Sequence, residues 1–176
     1  EPWVTDGTET GTRLLADLNP GGHESDPYNY HETSHGLFFR ALTRGTGKEL
    51  FFVDERLEPE LVIDLWMGLE GSTPYNLSPH GDHLLFTADD GLHGEELWSL
   101  NCTSKPFKPK LVADLVPGRM GAEPHELTWA NEEWGAFVAK DETGAHRLYR
   151  LQAIQEEYVV TPVELPFLAK NTNPDN

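Results

Sequence analysis

Glu1-Pro2-Trp3, Glu49-Leu50-Phe51, Glu96-Leu97-Trp98 and Arg147-Leu148-Tyr149 write one short phrase four times along the chain, with first residues 48, 47 and 51 positions apart. A second phrase, two apolar residues, any residue and then Asp-Leu, follows the first three copies at Leu14 to Leu18, Leu61 to Leu65 and Leu111 to Leu115. A third precedes the aromatic phrase as Asp26-Pro27-Tyr28-Asn29, Thr73-Pro74-Tyr75-Asn76 and Glu123-Pro124-His125-Glu126. Self-similarity on this scale means that each copy is one supersecondary unit, unable to bury its apolar faces without its neighbours.

The clearest copy divides by period-two patterning and turn residues into four strands. These are Thr73 to Ser78, His83 to Ala88, Glu95 to Leu100 and Lys110 to Leu115, with Asp89-Asp90-Gly91-Leu92-His93-Gly94 supplying turn chemistry between the middle two. The same frame fits Gly36 to Ala41, Glu49 to Asp54 and Glu60 to Leu65, and again Trp134 to Ala139, Arg147 to Gln152 and Val159 to Leu165. At the start only two strands fit, Glu1 to Asp6 and Arg13 to Leu18, around the turn Thr5-Asp6-Gly7-Thr8. Four strands per repeat with no helical period predict an all-β, β-propeller-like array of about three and a half four-stranded blades, with a solenoid as the rival. The expected division is one repeat domain over 1–165, with a half blade at 1–24, blades at 25–71, 72–121 and 122–165, and an extended or disordered tail at 166–176.

Propellers close with about four to eight blades, because a blade's faces are buried only by neighbours on both sides. An array of three and a half leaves open edges. The sequence therefore predicts a protein partner or a second copy covering them, further chain, or a ring that tolerates one thin blade. The start without Met and in mid-phrase adds the expectation of a processed or partial product.

The stretches Glu1-Pro2-Trp3-Val4-Thr5-Asp6-Gly7-Thr8 and Phe86-Thr87-Ala88-Asp89-Asp90-Gly91-Leu92-His93-Gly94-Glu95-Glu96-Leu97-Trp98, with Asp17-Leu18-Asn19-Pro20-Gly21, resemble the ELWxxDGT repeat of largely extracytoplasmic proteins. The resemblance covers about residues 1 to 165, with the full motif in the first and third copies. It implies a propeller-like repeat, an extracytoplasmic location and no assigned catalytic residues. Pro2 in place of Leu, Arg147 in place of the acid, and the missing Gly-Thr pair after Asp54 and Asn101 depart from the pattern.

Thirty Asp and Glu against thirteen Lys and Arg give a formal charge of -17, which repels nucleic acid and anionic lipid and attracts basic surfaces or cations. The simpler role of that charge is solubility. The single cysteine, Cys102, excludes an internal disulfide and a cysteine-cluster metal site. No apolar run is long enough to span a bilayer, so insertion in a membrane is not expected, although peripheral docking on a membrane complex is compatible with the sequence.

Several residues raise chemical readings. His31-Glu32-Thr33-Ser34-His35 matches the zinc-protease motif literally, but that chemistry needs both imidazoles on one helix face, and the repeat frame puts these residues in a polar turn between strands. Asp17, Asp64 and Asp114 share one repeat position, read as inside apolar strands, and are expected to accept backbone N–H bonds; the alternative is a ring of carboxylates holding cations. Asp89 and Asp90 are candidate calcium ligands without any EF-hand spacing. Trp3, Phe51, Trp98 and Tyr149 share a strand position that favours packing between blades over a stacking platform for sugars. Trp66, followed by Met67, breaks the pattern in a loop and is a candidate partner contact beside a local packing role. Asn101-Cys102-Thr103 and Asn76-Leu77-Ser78 fit the N-glycosylation pattern.

No nucleophile elbow, phosphate-binding loop or dinucleotide fingerprint is present. The sequence thus points to a non-catalytic interaction or structural subunit without a cofactor. A glycan-binding propeller is the alternative, and an enzyme with converging acids in a propeller channel is the third reading.

Overall fold

In the computed structural model, which describes residues 1–164, the chain is all β, with fourteen strands and no helix among the described residues. The strands form four antiparallel sheets, and within each sheet they lie in chain order. Sheet 1 pairs β1 (Trp3–Val4) with β2 (Arg13–Leu14). Sheet 2 holds β3 (Tyr28–Thr33), β4 (Gly36–Thr43), β5 (Gly47–Val53) and β6 (Glu60–Leu61). Sheet 3 holds β7 (Tyr75–His80), β8 (His83–Asp89), β9 (Glu95–Asn101) and β10 (Lys110–Ala113). Sheet 4 holds β11 (His125–Trp129), β12 (Trp134–Lys140), β13 (His146–Ile154) and β14 (Glu157–Pro162). The expected tail at 166–176 lies outside the described residues.

Alternation along the central strands sends neighbouring side chains into different cores. Leu50 and Phe52 of β5 share one apolar cluster with Phe86, Trp98 and Leu100 of sheet 3. Phe51, between them in sequence, joins Phe39 in a second cluster, against which Leu15 and Leu18 beside sheet 1 pack. Leu97 of β9 joins Phe137, Tyr149 and Leu151 of sheet 4 in the third. Each aromatic phrase therefore directs its leucine toward the following sheet and its aromatic ring toward the preceding one. Burying such a side chain fully is worth about 1.5–3 kcal/mol, so these three clusters dominate cohesion between sheets.

The strand ends differ from those predicted. Thr73 adopts φ +48° and so cannot begin a strand, which delays β7 to Tyr75. Asp26 and Glu123 take the same left-handed conformation, and so do Asn29, Asn76 and Glu126 three residues later. At each of the latter the ladder shifts register, between Tyr28 and His31, Tyr75 and Ser78, and His125 and Thr128. The third repeated phrase thus encodes a sharp entry followed by a bulge, where an extra residue bends the strand. Conversely, β2 and β6 stop four residues and β10 two residues before the predicted ends, leaving Asp17, Asp64 and Asp114 beyond the strands rather than inside them. Asp17 and Asp114 are exposed, so no large desolvation demand arises there; Asp64 is half-buried, with Oδ2 accepting from the Gly68 N–H at 3.4 Å and Oδ1 enclosed without a partner.

Candidate functional site

Among the described residues the buried carboxylates are Glu49 and Glu96, both fully enclosed. They open the aromatic phrase, a position whose chemistry sequence reasoning passed over in favour of the aspartates. Glu49 Oε1 accepts from the backbone N–H of Ser72 at 2.8 Å and of Trp66 at 3.3 Å, and Oε2 accepts from the Ser72 hydroxyl. Glu96 Oε1 accepts from the N–H groups of Val116 and Ala122, each at 3.1 Å. Glu1 repeats the contact in part, accepting from the Leu18 N–H at 2.7 Å. Each carboxylate staples the loop that leads from its own sheet to the next, satisfying loop amides that would otherwise be orphaned.

Burial pushes the Glu49 carboxyl up to about 6, against the pull of its hydrogen bonds to Ser72 and Trp66. Burial likewise pushes Glu96 up to about 7, opposed by the amides of Val116 and Leu115. Two glycines beside each staple let the loop close. A Cβ on Gly47 would stand 2.7 Å from the Gly71 nitrogen, and Gly94 and Gly121 make the equivalent approach, with all four residues at positive φ. The signal was legible as Gly47-x-Glu49 and Gly94-x-Glu96, followed in the loop by Gly71-Ser72 and Gly121-Ala122. In the fourth copy Arg147 stands at the glutamate position, is exposed, and donates to Asp141 at 2.8 Å.

The remaining sequence candidates are engaged locally. Asp89 Oδ1 caps the Gly91 N–H at 2.7 Å; Asp90 accepts from the N–H groups of Leu92 and His93 and pairs with the His93 ring at 2.8 Å. Those oxygens are the ones a calcium site would need. Among the described residues no group of three or more His, Cys, Asp or Glu side chains is arranged to hold a metal. Within the zinc-like motif, His31, Glu32 and Thr33 lie in β3 and only Ser34 and His35 form the predicted turn. His35 Nε2 bonds Asp82 at 2.8 Å, and a helix presenting both histidines does not form. Asn76 donates to the Pro124 carbonyl at 3.1 Å, so one of the two glycosylation matches is occupied as a bridge between sheets 3 and 4.

Phe51, Trp98 and Tyr149 are buried, but Trp3 is 64% exposed. Trp66 lies with its indole against Gly91, where a Cβ would come within 2.7 Å of Nε1, while Met67 beside it is 85% exposed. Trp66 is half-buried, with local packing against Gly91, and Met67 is the exposed side chain of the pair.

A cleft of about 420 Å³ opens between sheets 3 and 4, lined among others by His80, Asp82, His83, Glu132, Glu133 and Tyr158. His80 stacks on Trp129 with ring centroids 3.6 Å apart. Its Nε2 lies 3.0 Å from the Glu132 carbonyl, which can only accept, so Nε2 carries the proton and Nδ1 accepts from the Tyr158 hydroxyl at 3.2 Å. Burial lowers the His80 pKa and favours this neutral form. Both ring nitrogens are consumed by the protein, so the imidazole acts as a bracket between sheets rather than as a free base. The contact of His80 with Trp129 joins residues far apart in the chain and leaves no local trace in the sequence.

A scan of family models and searches of curated proteins and of solved structures each gave no match to the chain. The class the coordinates define is an all-β chain of four antiparallel sheets with shared cores.

Proposed function

We propose that this chain is a non-catalytic docking module, an acidic, propeller-like stack of blades that serves as an interaction or structural subunit of a larger extracytoplasmic assembly. Three four-stranded sheets with the same strand order, each sharing a core with the next, support the blade reading. The resemblance to ELWxxDGT-repeat proteins points the same way, and so does its implication of no catalytic residues.

The observation that carries the function is how the repeated polar and aromatic residues are spent. Glu49 and Glu96 staple loops, Asp89 and Asp90 cap a turn, and Phe51, Trp98 and Tyr149 lie inside. Of the apolar residues in the aromatic phrase, Trp3 and Leu148, in the first and last sheets described, are the ones left exposed. A lectin-like reading would need the aromatic row at the surface, and a channel enzyme would need converging acids, whereas Asp17 and Asp114 face solvent. Native mass spectrometry of the chain isolated from its source tests the proposal. A complex heavier than the 19.8 kDa chain is expected, and a lone monomer would contradict it.

A further inference from the structure

The four most exposed large apolar side chains among the described residues are Met67 at 85%, Met120 at 82%, Leu69 at 74% and Leu92 at 66%, and Met67 and Met120 are the only methionines of the chain. All four stand on one rim of the array. The β6–β7 connection closes against the β4–β5 turn where Gly71 meets Gly47, and it touches the β8–β9 turn of the next sheet where Trp66 lies against Gly91. The β10–β11 connection meets that same turn where Gly121 approaches Gly94, and a slot of about 120 Å³, lined by Val116, Met120, Lys140, Asp141 and Gly144 among others, lies between it and the β12–β13 turn. The turn carrying Leu92 thus stands between the connection carrying Met67 and Leu69 and the one carrying Met120. Closure of these connections does not require the apolar side chains. Asp64 to Ser72 and Asp114 to Ala122 have equal length and matching glycines, yet Met67 corresponds to Pro117, Leu69 to Arg119 and Met120 to Glu70. Exposed apolar side chains gathered on one surface and unused by the fold mark an interaction site, and unbranched Met adapts its shape to what it meets.

Charge selects the occupant. Residues 64–71, 89–94 and 114–121 carry Asp64, Glu70, Asp89, Asp90 and Asp114 against Arg119 alone, with His93 held by Asp90. Glu70 and Asp114 are exposed and form no ion pair among the described residues. Resting on the docking-module reading, we propose that this rim binds a basic amphipathic protein segment. The apolar side of the segment covers Met67, Leu69 and Leu92 and reaches the slot beside Met120, while its Lys or Arg residues lie against Glu70 and Asp114. A second copy of this chain, itself at a formal charge of -17, is the wrong sign for the surface, and the same acids repel an anionic bilayer.

The test is fluorescence anisotropy of a labelled amphipathic peptide built from Leu and Lys, titrated with the 176-residue chain, with Met67→Ser combined with Met120→Ser, with Glu70→Lys combined with Asp114→Lys, and with Leu57→Ser on the opposite rim. Circular dichroism confirms that each variant folds. Wild type and Leu57→Ser should bind equally, with affinity that falls as salt rises, and each double variant should bind at least about tenfold more weakly. The methionine pair leaves every charge in place, so its loss separates the rim from general attraction of a cation to an acidic protein. A Leu and Glu peptide of the same spacing should not bind. Three results overturn the proposal: no binding up to millimolar protein, methionine variants that bind like wild type, or equal binding of the acidic peptide. Sedimentation of wild type, but not of the methionine variants, with phosphatidylcholine vesicles would assign the rim to a lipid surface and overturn it as well. If the peptide fails while the chain from its source still runs in a heavier complex, the rim assignment falls and the module reading stands; a lone monomer from the source would remove that reading too.

Discussion

Replacing Glu96 tests the staple in a way that separates its hydrogen bonds from its charge. In Glu96→Ala the Val116 N–H loses the acceptor that Glu96 provides, while the Ala122 N–H keeps a second one, the Glu95 carbonyl at 3.0 Å. One orphaned buried amide costs about 1–3 kcal/mol, and the lost side-chain packing adds to it, so a loss of about 2–4 kcal/mol is expected. Glu96→Gln keeps an acceptor oxygen and removes the charge. The native carboxyl, raised to about 7 from an ordinary 4.5, prefers to be neutral, and its Oε2 is buried without a partner. Its contribution is therefore fully present below the unfolded value and is lost as pH rises through the native one. Converted at 1.36 kcal/mol per unit, the wild type loses about 3 kcal/mol between pH 4.5 and pH 8 from this group, and Gln loses none. Urea unfolding of both proteins over that range measures the difference. The stability of Gln relative to wild type should climb with pH, steeply between about 5 and 7. A flat difference, or one that falls with pH, would refute the claim that burial dominates at this carboxyl.

Two further outcomes follow from local geometry. Gly121→Ala should cost more than about 2 kcal/mol, because its φ is +62° and a Cβ would collide with the Glu95 backbone; Gly118→Ala, at φ +92° with open space around it, should cost about 1 kcal/mol by chemical denaturation. His80→Phe keeps a ring over Trp129 but cannot titrate. His80 has a lowered pKa, set by burial and nearby His83 against Glu132, so its contribution is present above the ordinary 6.5 and is lost as pH falls through the native value. Wild type should lose stability relative to His80→Phe as pH drops below 6.5, and a constant difference would remove the bracket assigned to His80.

What the sequence made legible is what repeats. Period-two runs around Phe39, Phe86 and Phe137 identified the central strands, and the common position of Phe51, Trp98 and Tyr149 identified inward packing. The carboxylates were misplaced by one phrase. Asp17, Asp64 and Asp114 look buried because apolar residues surround them in sequence, but the strands end before they are reached. Glu49 and Glu96 look exposed because Glu usually is, and their partners Ser72 and Ala122 lie 23 and 26 residues away, beyond any local pattern. Left-handed residues such as Thr73 and Glu126 escaped because neither type advertises positive φ as glycine does. The His80, Trp129 and Tyr158 bracket joins three strands of two sheets, so it exists only in the fold.

The central proposal is that this chain works by docking rather than by chemistry, and the exposed Trp3 reports on it directly. Hydroxyl-radical footprinting read by mass spectrometry compares Trp3 with the buried Trp98 in the isolated chain and in the assembly taken from its source. The account predicts that Trp3 is oxidised readily in the isolated chain and is protected to the level of Trp98 in the assembly. Equal oxidation of Trp3 in both settings would contradict it.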